Sequence, residues 1–372
     1  MPKVLSIFGT RPEAIKMAPV IKELEKYPDR LVSRVCVTAQ HREMLDQVLD
    51  LFQIRPDYDL DLMRPSQSLS ALTARVFSKL APVVEQEHPD WVLVQGDTTT
   101  VMAASLVAFY HRARVGHVEA GLRSGDKWQP FPEEVNRRVA SVVADLHFAP
   151  TETARRNLLR EGVDPDTIRV TGNPVVDALQ MVSRASYDVA NSPLAVIPWG
   201  KRIVLITAHR RENFGQPLVR ICAALKELAL HYIDDVHFVY PVHLNPNVQD
   251  TVYRLLADVP NITLLSPLEY APLVYTMKRS YLVMTDSGGI QEEAPGLGKP
   301  VLVFRETTER PEAVETGAVR LVGTDPAQIE KWARRLLDDP AEYEKMAQAV
   351  NPYGDGRAAE RIVATLLDWE AR

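Results

Sequence analysis

The chain has 372 residues, of which 46% are hydrophobic and 25% charged. At about 150 residues per domain that length suggests two domains, and the composition is that of an ordinary globular protein. Lys and Arg number 43 against 49 Asp and Glu, a formal net charge of -6, which argues against a nucleic-acid or membrane-surface binder. Any anionic ligand must therefore be held by a local cluster of cations. Cys36 and Cys222 fall in apolar patterns far apart and are expected to be free, buried thiols, which suits a reducing compartment. The start turns polar too early for a signal peptide, and no apolar run reaches about 18 residues, so a cytoplasmic protein is expected.

Along the chain, short apolar runs alternate with amphipathic stretches. A strand is predicted at 4–8 and a helix at 14–25, where Ile15, Ala18, Ile21 and Leu24 keep close to a 3.6-residue period. Next come a strand at 35–38, a helix at 42–52, a short extended segment at 57–62 and a long helix at 68–87. A strand at 91–94, a helix at 99–111 and a strand at 115–118 follow, then a strand at 146–149, a helix at 152–161 and a strand at 168–171. Residues 183–200 include Pro193 and Pro198, have little periodicity, and mark the connection between domains. The alternation resumes with strands at 203–207, 236–240, 262–265, 281–284 and 301–304, and helices at 217–231 and 272–278. Repeated β-α units predict an α/β protein with two doubly wound parallel sheets. The amphipathic tail, 357–369, is expected to cross back to the first half. The domains are thus 1–180 joined by a helix at 355–372, and 181–354. Ligands are expected in the cleft at the carboxyl ends of both sheets.

The candidate groups follow strands. After the first come Gly9, Arg11, Pro12 and Lys16; two cations near a helix start oppose its dipole and make sense with an anion between them. Asp97 follows the strand at 91–94, where it suits a helix N-cap as well as a functional role. Glu119 follows the strand at 115–118 beside small residues, where packing does not explain a carboxylate. Glu133 opens a helix at Pro132-Glu133-Glu134. In the second half, His209 stands beside Arg210 and Arg211 as a possible imidazolium or general acid, and His243 also follows a strand. The stretch Asp286-Ser287-Gly288-Gly289-Ile290-Gln291-Glu292-Glu293 is a strand, a glycine turn and a helix start. Exposed amides at Ser287, Gly288 and Gly289 suit a diphosphate, and the carboxylates of Glu292 and Glu293 suit ribose hydroxyls. Arg310 follows the next strand and suits a phosphate or sugar contact. No P-loop, Gly-x-Gly-x-x-Gly turn, nucleophile elbow or zinc-ligand spacing is present, and neither metal nor cofactor is expected. The acids Asp57, Asp59 and Asp61 are expected to be solvated surface.

In order, Phe8-Gly9-Thr10-Arg11-Pro12-Glu13, Gly96-Asp97-Thr98-Thr99, His117-Val118-Glu119-Ala120-Gly121-Leu122-Arg123, Pro132-Glu133-Glu134, His209-Arg210-Arg211-Glu212-Asn213, the 286–295 stretch, Thr307 to Pro311 and Asn351-Pro352-Tyr353-Gly354-Asp355-Gly356-Arg357 resemble the non-hydrolysing UDP-N-acetylglucosamine 2-epimerases. The resemblance implies two Rossmann-like domains of the glycosyltransferase-B type, a homodimer, UDP held mainly by the second domain, and UDP-GlcNAc/UDP-ManNAc interconversion serving polysaccharide biosynthesis. It implies elimination of UDP to 2-acetamidoglucal and re-addition. It makes Asp97, Glu119 and Glu133 the catalytic carboxylates, with Arg11, Lys16 and His209 helping the leaving diphosphate. Ser287, Gly289 and Glu293 fall on diphosphate and ribose positions, and Arg310 on a ligand-contacting arginine. A regulatory second UDP-GlcNAc would fall on Gln40, Glu43, Arg211 and His243, although Glu43 and Ser66 depart from the residues common there. The rival readings are a retaining UDP-sugar glycosyltransferase on the same architecture, a hydrolysing epimerase releasing free ManNAc, and a non-catalytic nucleotide-sugar sensor.

Overall fold

Runs such as Val-Leu-Ser-Ile-Phe and Trp-Val-Leu-Val are apolar at nearly every position, as strands buried on both faces must be. The computed structural model describes residues 1–39, 42–62, 64, 67–308 and 310–369, and only the backbone of Arg42 and Glu43. The chain forms two compact units, Met1–Gln180 with Tyr353–Arg372, and Met181–Pro352.

In the first unit the strands are β1 (Lys3–Phe8), β2 (Val32–Val37), β3 (Tyr58–Asp59), β4 (Trp91–Gln95), β5 (Arg114–Val118), β6 (Leu146–Ala149) and β7 (Ile168–Val170). They make one sheet in the order β3-β2-β1-β4-β5-β6-β7, and every pairing is parallel. Its helices are α1 (Arg11–Leu24), α2 (Arg42–Leu51), α3 (Leu69–Glu87), α4 (Thr99–Tyr110), α5 (Glu133–Val143), α6 (Glu152–Arg160) and α7 (Pro174–Arg184). The strand order reverses between β1 and β4, the switch point at whose carboxyl ends open parallel sheets usually bind ligands.

The second unit repeats the plan. Strands β8 (Arg202–Thr207), β9 (Val236–Pro241), β10 (Ile262–Leu265), β11 (Leu282–Thr285), β12 (Val301–Val303) and β13 (Val319–Leu321) run parallel in the order β10-β9-β8-β11-β12-β13. Its helices are α8 (Gln216–His231), α9 (Pro246–Leu256), α10 (Tyr270–Arg279), α11 (Gly288–Glu293), α12 (Pro311–Glu315), α13 (Pro326–Asp338) and α14 (Pro340–Ala347). Here the reversal lies between β8 and β11.

The tail helix α15 (Ala358–Trp369) belongs to the first unit. It buries Ile362, Val363, Leu366 and Leu367, and the Trp369 ring meets Trp91 edge-on at 5.9 Å. Its first amides are held by Asp177 of α7, which accepts from Ala358 at 3.2 Å and Ala359 at 2.9 Å. Cys36 and Cys222 are free and buried. Among the described residues, no helix is long and apolar enough to cross a membrane.

Candidate active site

The first unit gathers its chemistry at the switch between β1 and β4. Gly9 packs against Thr38, the residue after β2: a Cβ there would stand 2.0 Å from Thr38 Oγ1, so no side chain fits. The buried Glu13 braces the turn. Its Oε2 accepts from the Gly9 and Thr10 amides at 2.8 and 2.7 Å, and its Oε1 from Thr98 Oγ1 at 2.6 Å, tying the loop after β1 to the loop after β4. Burial pushes its carboxyl above the usual range, and these hydrogen bonds pull the other way.

Three consecutive residues at the end of β4 connect the rest. Gln95 donates from its side-chain amide to Glu119 Oε2. Gly96 O accepts from His117 Nε2 at 2.7 Å, and burial drives that histidine down to about 3, leaving a neutral structural group. Asp97 is ion-paired with Arg137 of α5, while Asn136 Nδ2 holds the Asp97 carbonyl at 2.9 Å. Asp97 is not the N-cap that its position suggested. Thr98 caps α4, accepting from the Val101 amide at 3.4 Å, and leaves the Asp97 carboxylate to Arg137.

Glu119 is buried, with φ 65°, a left-handed backbone that a glutamate adopts at a cost. Lys16 Nζ lies 2.8 and 2.6 Å from its two oxygens. Lys16 is expected beside Arg11 with an anion between them; its ammonium lies against this carboxylate, where it steadies an acid/base candidate. Arg11 is the first residue of α1 and half-buried. Glu133 opens α5 and is partly exposed, on the helix whose Asn136 and Arg137 grip Asp97. Its neighbour Glu134 is fully buried and anchors the preceding loop, accepting from the Ser124 amide at 3.0 Å. The three carboxylates thus sit on one connected framework within the first unit.

In the second unit the buried Asp286 accepts from the amides of His209 and Arg210, both at 2.9 Å, and from Asn213 Nδ2 at 2.9 Å. It thereby binds the loop after β8 to the loop after β11. His209 stacks on His243 with ring centroids 5.4 Å apart and planes at 12°. Burial holds the His209 imidazole below its ordinary range; Asp286 opposes this, and His243 and Arg210 reinforce it. That direction favours the neutral ring at neutral pH, and a bound anion would favour the imidazolium.

The glycine turn is flanked by two guanidinium groups. A Cβ on Gly288 would lie 3.3 Å from Arg210 Nη2 and 3.5 Å from Arg310 Cζ. Gly288 and Gly289 thus lie beside cations, an arrangement suited to a diphosphate, while the Ser287 amide is taken by Thr285 Oγ1 at 2.9 Å. The paired acids of α11, which read alike in sequence as ribose ligands, have different protein partners. Glu292 is buried and takes Arg310 Nε at 2.7 Å, whereas Glu293 accepts from Tyr270 Oη at 2.9 Å. Of the regulatory candidates, Arg211 and His243 are exposed; Gln40, the side chain of Glu43, and Ser66 lie outside the described residues.

Six residues that help build these arrangements are not among the sequence candidates: Glu13, Gln95, Arg137, Arg210, Tyr270 and Asp286. All but Tyr270 and Arg137 lie inside or next to the strand-end motifs.

A family model described as UDP-N-acetylglucosamine 2-epimerase matches residues 22–367. The chain is 56% identical to the UDP-N-acetylglucosamine 2-epimerase of Yersinia pestis, over 98% of both chains, and 55% identical to that of Escherichia coli K12, again over 98% of both. Among solved structures it superimposes on the Neisseria meningitidis UDP-GlcNAc 2-epimerase bound to UDP-GlcNAc with a TM-score of 0.89 and 52% identity, covering 98% of this chain and 100% of that one. The Methanocaldococcus jannaschii enzyme in complex with UDP-GlcNAc and UDP gives 0.82 at 33% identity, over 98% and 99%. The chain belongs to the UDP-N-acetylglucosamine 2-epimerase family.

Proposed function

We propose that the protein interconverts UDP-GlcNAc and UDP-ManNAc without hydrolysing them, and that the observation carrying this reading is the division of chemistry between the two units. The second supplies a cation-flanked glycine turn for a diphosphate; the first supplies carboxylates held by cations and amides.

The C2 hydrogen of the resting sugar is not acidic. It becomes removable as the C1–O bond breaks and positive charge builds at C1. The bonding electrons leave on the β-phosphate oxygen of UDP, so stabilising that oxygen comes first; Arg210, Arg310, the Gly288 and Gly289 amides and His209 serve that end, with Arg11. A carboxylate takes the C2 proton, and the C2–H electrons close the C1–C2 double bond of 2-acetamidoglucal. In the second half, an acid of the Asp97, Glu119 and Glu133 set protonates C2 from the opposite face, and UDP oxygen re-forms its bond to C1. The test is UDP-GlcNAc alone in deuterated water, followed by proton NMR. UDP-ManNAc with deuterium at C2 is expected. Free ManNAc would indicate the hydrolysing reaction, no change without an acceptor would favour a transferase or a sensor, and unlabelled C2 would reject the elimination route.

The protein further acts as a cytoplasmic homodimer in this reading. Supporting it, the end of α4 exposes Phe109 at 59% and Tyr110 at 67%, beside Phe77 of α3. Sedimentation should show a dimer, and Phe109→Glu should shift it toward monomer. A second UDP-GlcNAc as activator at Gln40, Glu43, Arg211 and His243 would appear as a lag in UDP-ManNAc consumption that traces of UDP-GlcNAc abolish and Arg211→Ala prolongs.

A further inference from the structure

We propose that Tyr270 is a positioning residue that makes the nucleotide site selective for ribonucleotides, by fixing the Glu293 carboxylate toward the 2′,3′-diol of the nucleoside diphosphate. The proposal rests on the reading of Glu293 as the ribose-binding acid. Both residues are buried, at 5% and 6% exposure. The two oxygens of Glu293 have different surroundings. Oε1 accepts from Tyr270 Oη at 2.9 Å; a carboxylate only accepts, so the phenol is the donor. Oε2 faces the glycine turn, 4.0 Å from where a Cβ on Gly289 would stand, and Ser287 Oγ borders the same point at 3.9 Å. Tyr270 opens α10 and Glu293 closes α11, so the hydrogen bond joins two rigid elements across the carboxylate. Pinning one oxygen fixes the plane of the group and orients the other toward the diphosphate turn, where the sugar next to that diphosphate must lie. A carboxylate held this way meets two vicinal hydroxyls without reorganising, and a nucleotide lacking them forfeits those hydrogen bonds.

The experiment measures binding of UDP and of 2′,3′-dideoxy-UDP to the wild type and to Tyr270→Phe by calorimetry. The wild type should prefer UDP by on the order of 100-fold, and Tyr270→Phe should reduce that preference about tenfold, with most of the loss on UDP. In turnover of UDP-GlcNAc the variant should raise KM more than it lowers kcat. The preference is a ratio within one preparation, so partial unfolding of the variant cancels. Equal binding of both nucleotides by the wild type would overturn the ribose role of Glu293 and the proposal with it. A wild-type preference that Tyr270→Phe retains in full would overturn the role of Tyr270 alone.

Discussion

Gln95, the last residue of β4, donates its side-chain amide to Glu119, the first residue after β5, so neighbouring strands in the sheet hold one carboxylate between them. Lys16 supplies the second grip. Glu119 carries a strained backbone, and these contacts keep its carboxylate aimed. A hydrogen bond to a charged group is worth roughly 1.5–3 kcal/mol. Gln95→Met, which keeps volume but removes the donor, should therefore lower kcat about tenfold or more while UDP affinity stays near normal. Gln95→Glu, which sets a second carboxylate against the first, should be worse. Steady-state kinetics with parallel UDP titration checks both, and full activity in Gln95→Met would remove Gln95 from any positioning role.

Asp97→Asn and Glu119→Gln should each lower turnover by roughly 10²–10⁴-fold, the size of an acid/base contribution. Both substitutions keep shape and an acceptor, so UDP binding to the second unit should change little. Arg137→Met should mimic part of the Asp97→Asn loss, because the guanidinium that orients Asp97 is gone. Near-normal turnover in Asp97→Asn and Glu119→Gln would exclude proton transfer by them.

Much of this was legible in the sequence because open parallel sheets place function at strand ends, and strands buried on both faces stand out as apolar runs. Asp97, Glu119, His209 and the 286–293 stretch were found that way. Long-range partners were less legible: Tyr270 reaches Glu293 only through the fold, and no local pattern pairs them. Glu292 and Glu293 read alike in sequence, yet one serves an arginine and the other a tyrosine, because successive helical residues face different neighbours. The helices α9, α13 and α14 were not predicted, although each carries an Asn or Asp cap followed by proline: Asn245, Asp325 and Asp339 accept from amides in the first turn at 3.0, 3.2 and 2.9 Å. Strand β13 spans only Val319–Leu321, too short for a periodic pattern.

Asp177 offers a stability test. Burial raises its carboxyl to about 6 from an ordinary 3.8, although the Ala358 and Ala359 amides pull it down. A raised folded value means the native state binds the proton more tightly. The resulting stabilisation is complete below about pH 4 and is lost as pH rises through about 6. At roughly 1.4 kcal/mol per unit the change amounts to a few kcal/mol at most. Asp177→Asn carries no such proton, so wild type should lose stability relative to it between pH 4 and 7. Asp177→Ala, which removes the cap from α15, should be destabilised by about 1 kcal/mol near neutrality. Melting temperatures across that pH range test the ordering; parallel curves for wild type and Asp177→Asn would refute it.

His209 should couple nucleotide binding to a proton. Its imidazole is held below the ordinary range by burial, with His243 and Arg210 adding to that effect and Asp286 opposing it. The free enzyme at pH 7 therefore carries this ring neutral. A diphosphate at the glycine turn brings negative charge to the loop that Asp286 ties to His209, which raises the ring's affinity for a proton. Binding should then be accompanied by proton uptake, and affinity should weaken as pH rises through the bound-state value. UDP-GlcNAc is the right probe, because its diphosphate diester has no proton of its own to exchange near neutrality. Calorimetry at pH 7 in buffers of different ionisation enthalpy should show fractional uptake for the wild type and almost none for His209→Gln. A heat independent of buffer in the wild type would mean that the ring stays neutral in the complex, and that the departing nucleotide is stabilised by Arg210, Arg310 and the turn amides without it.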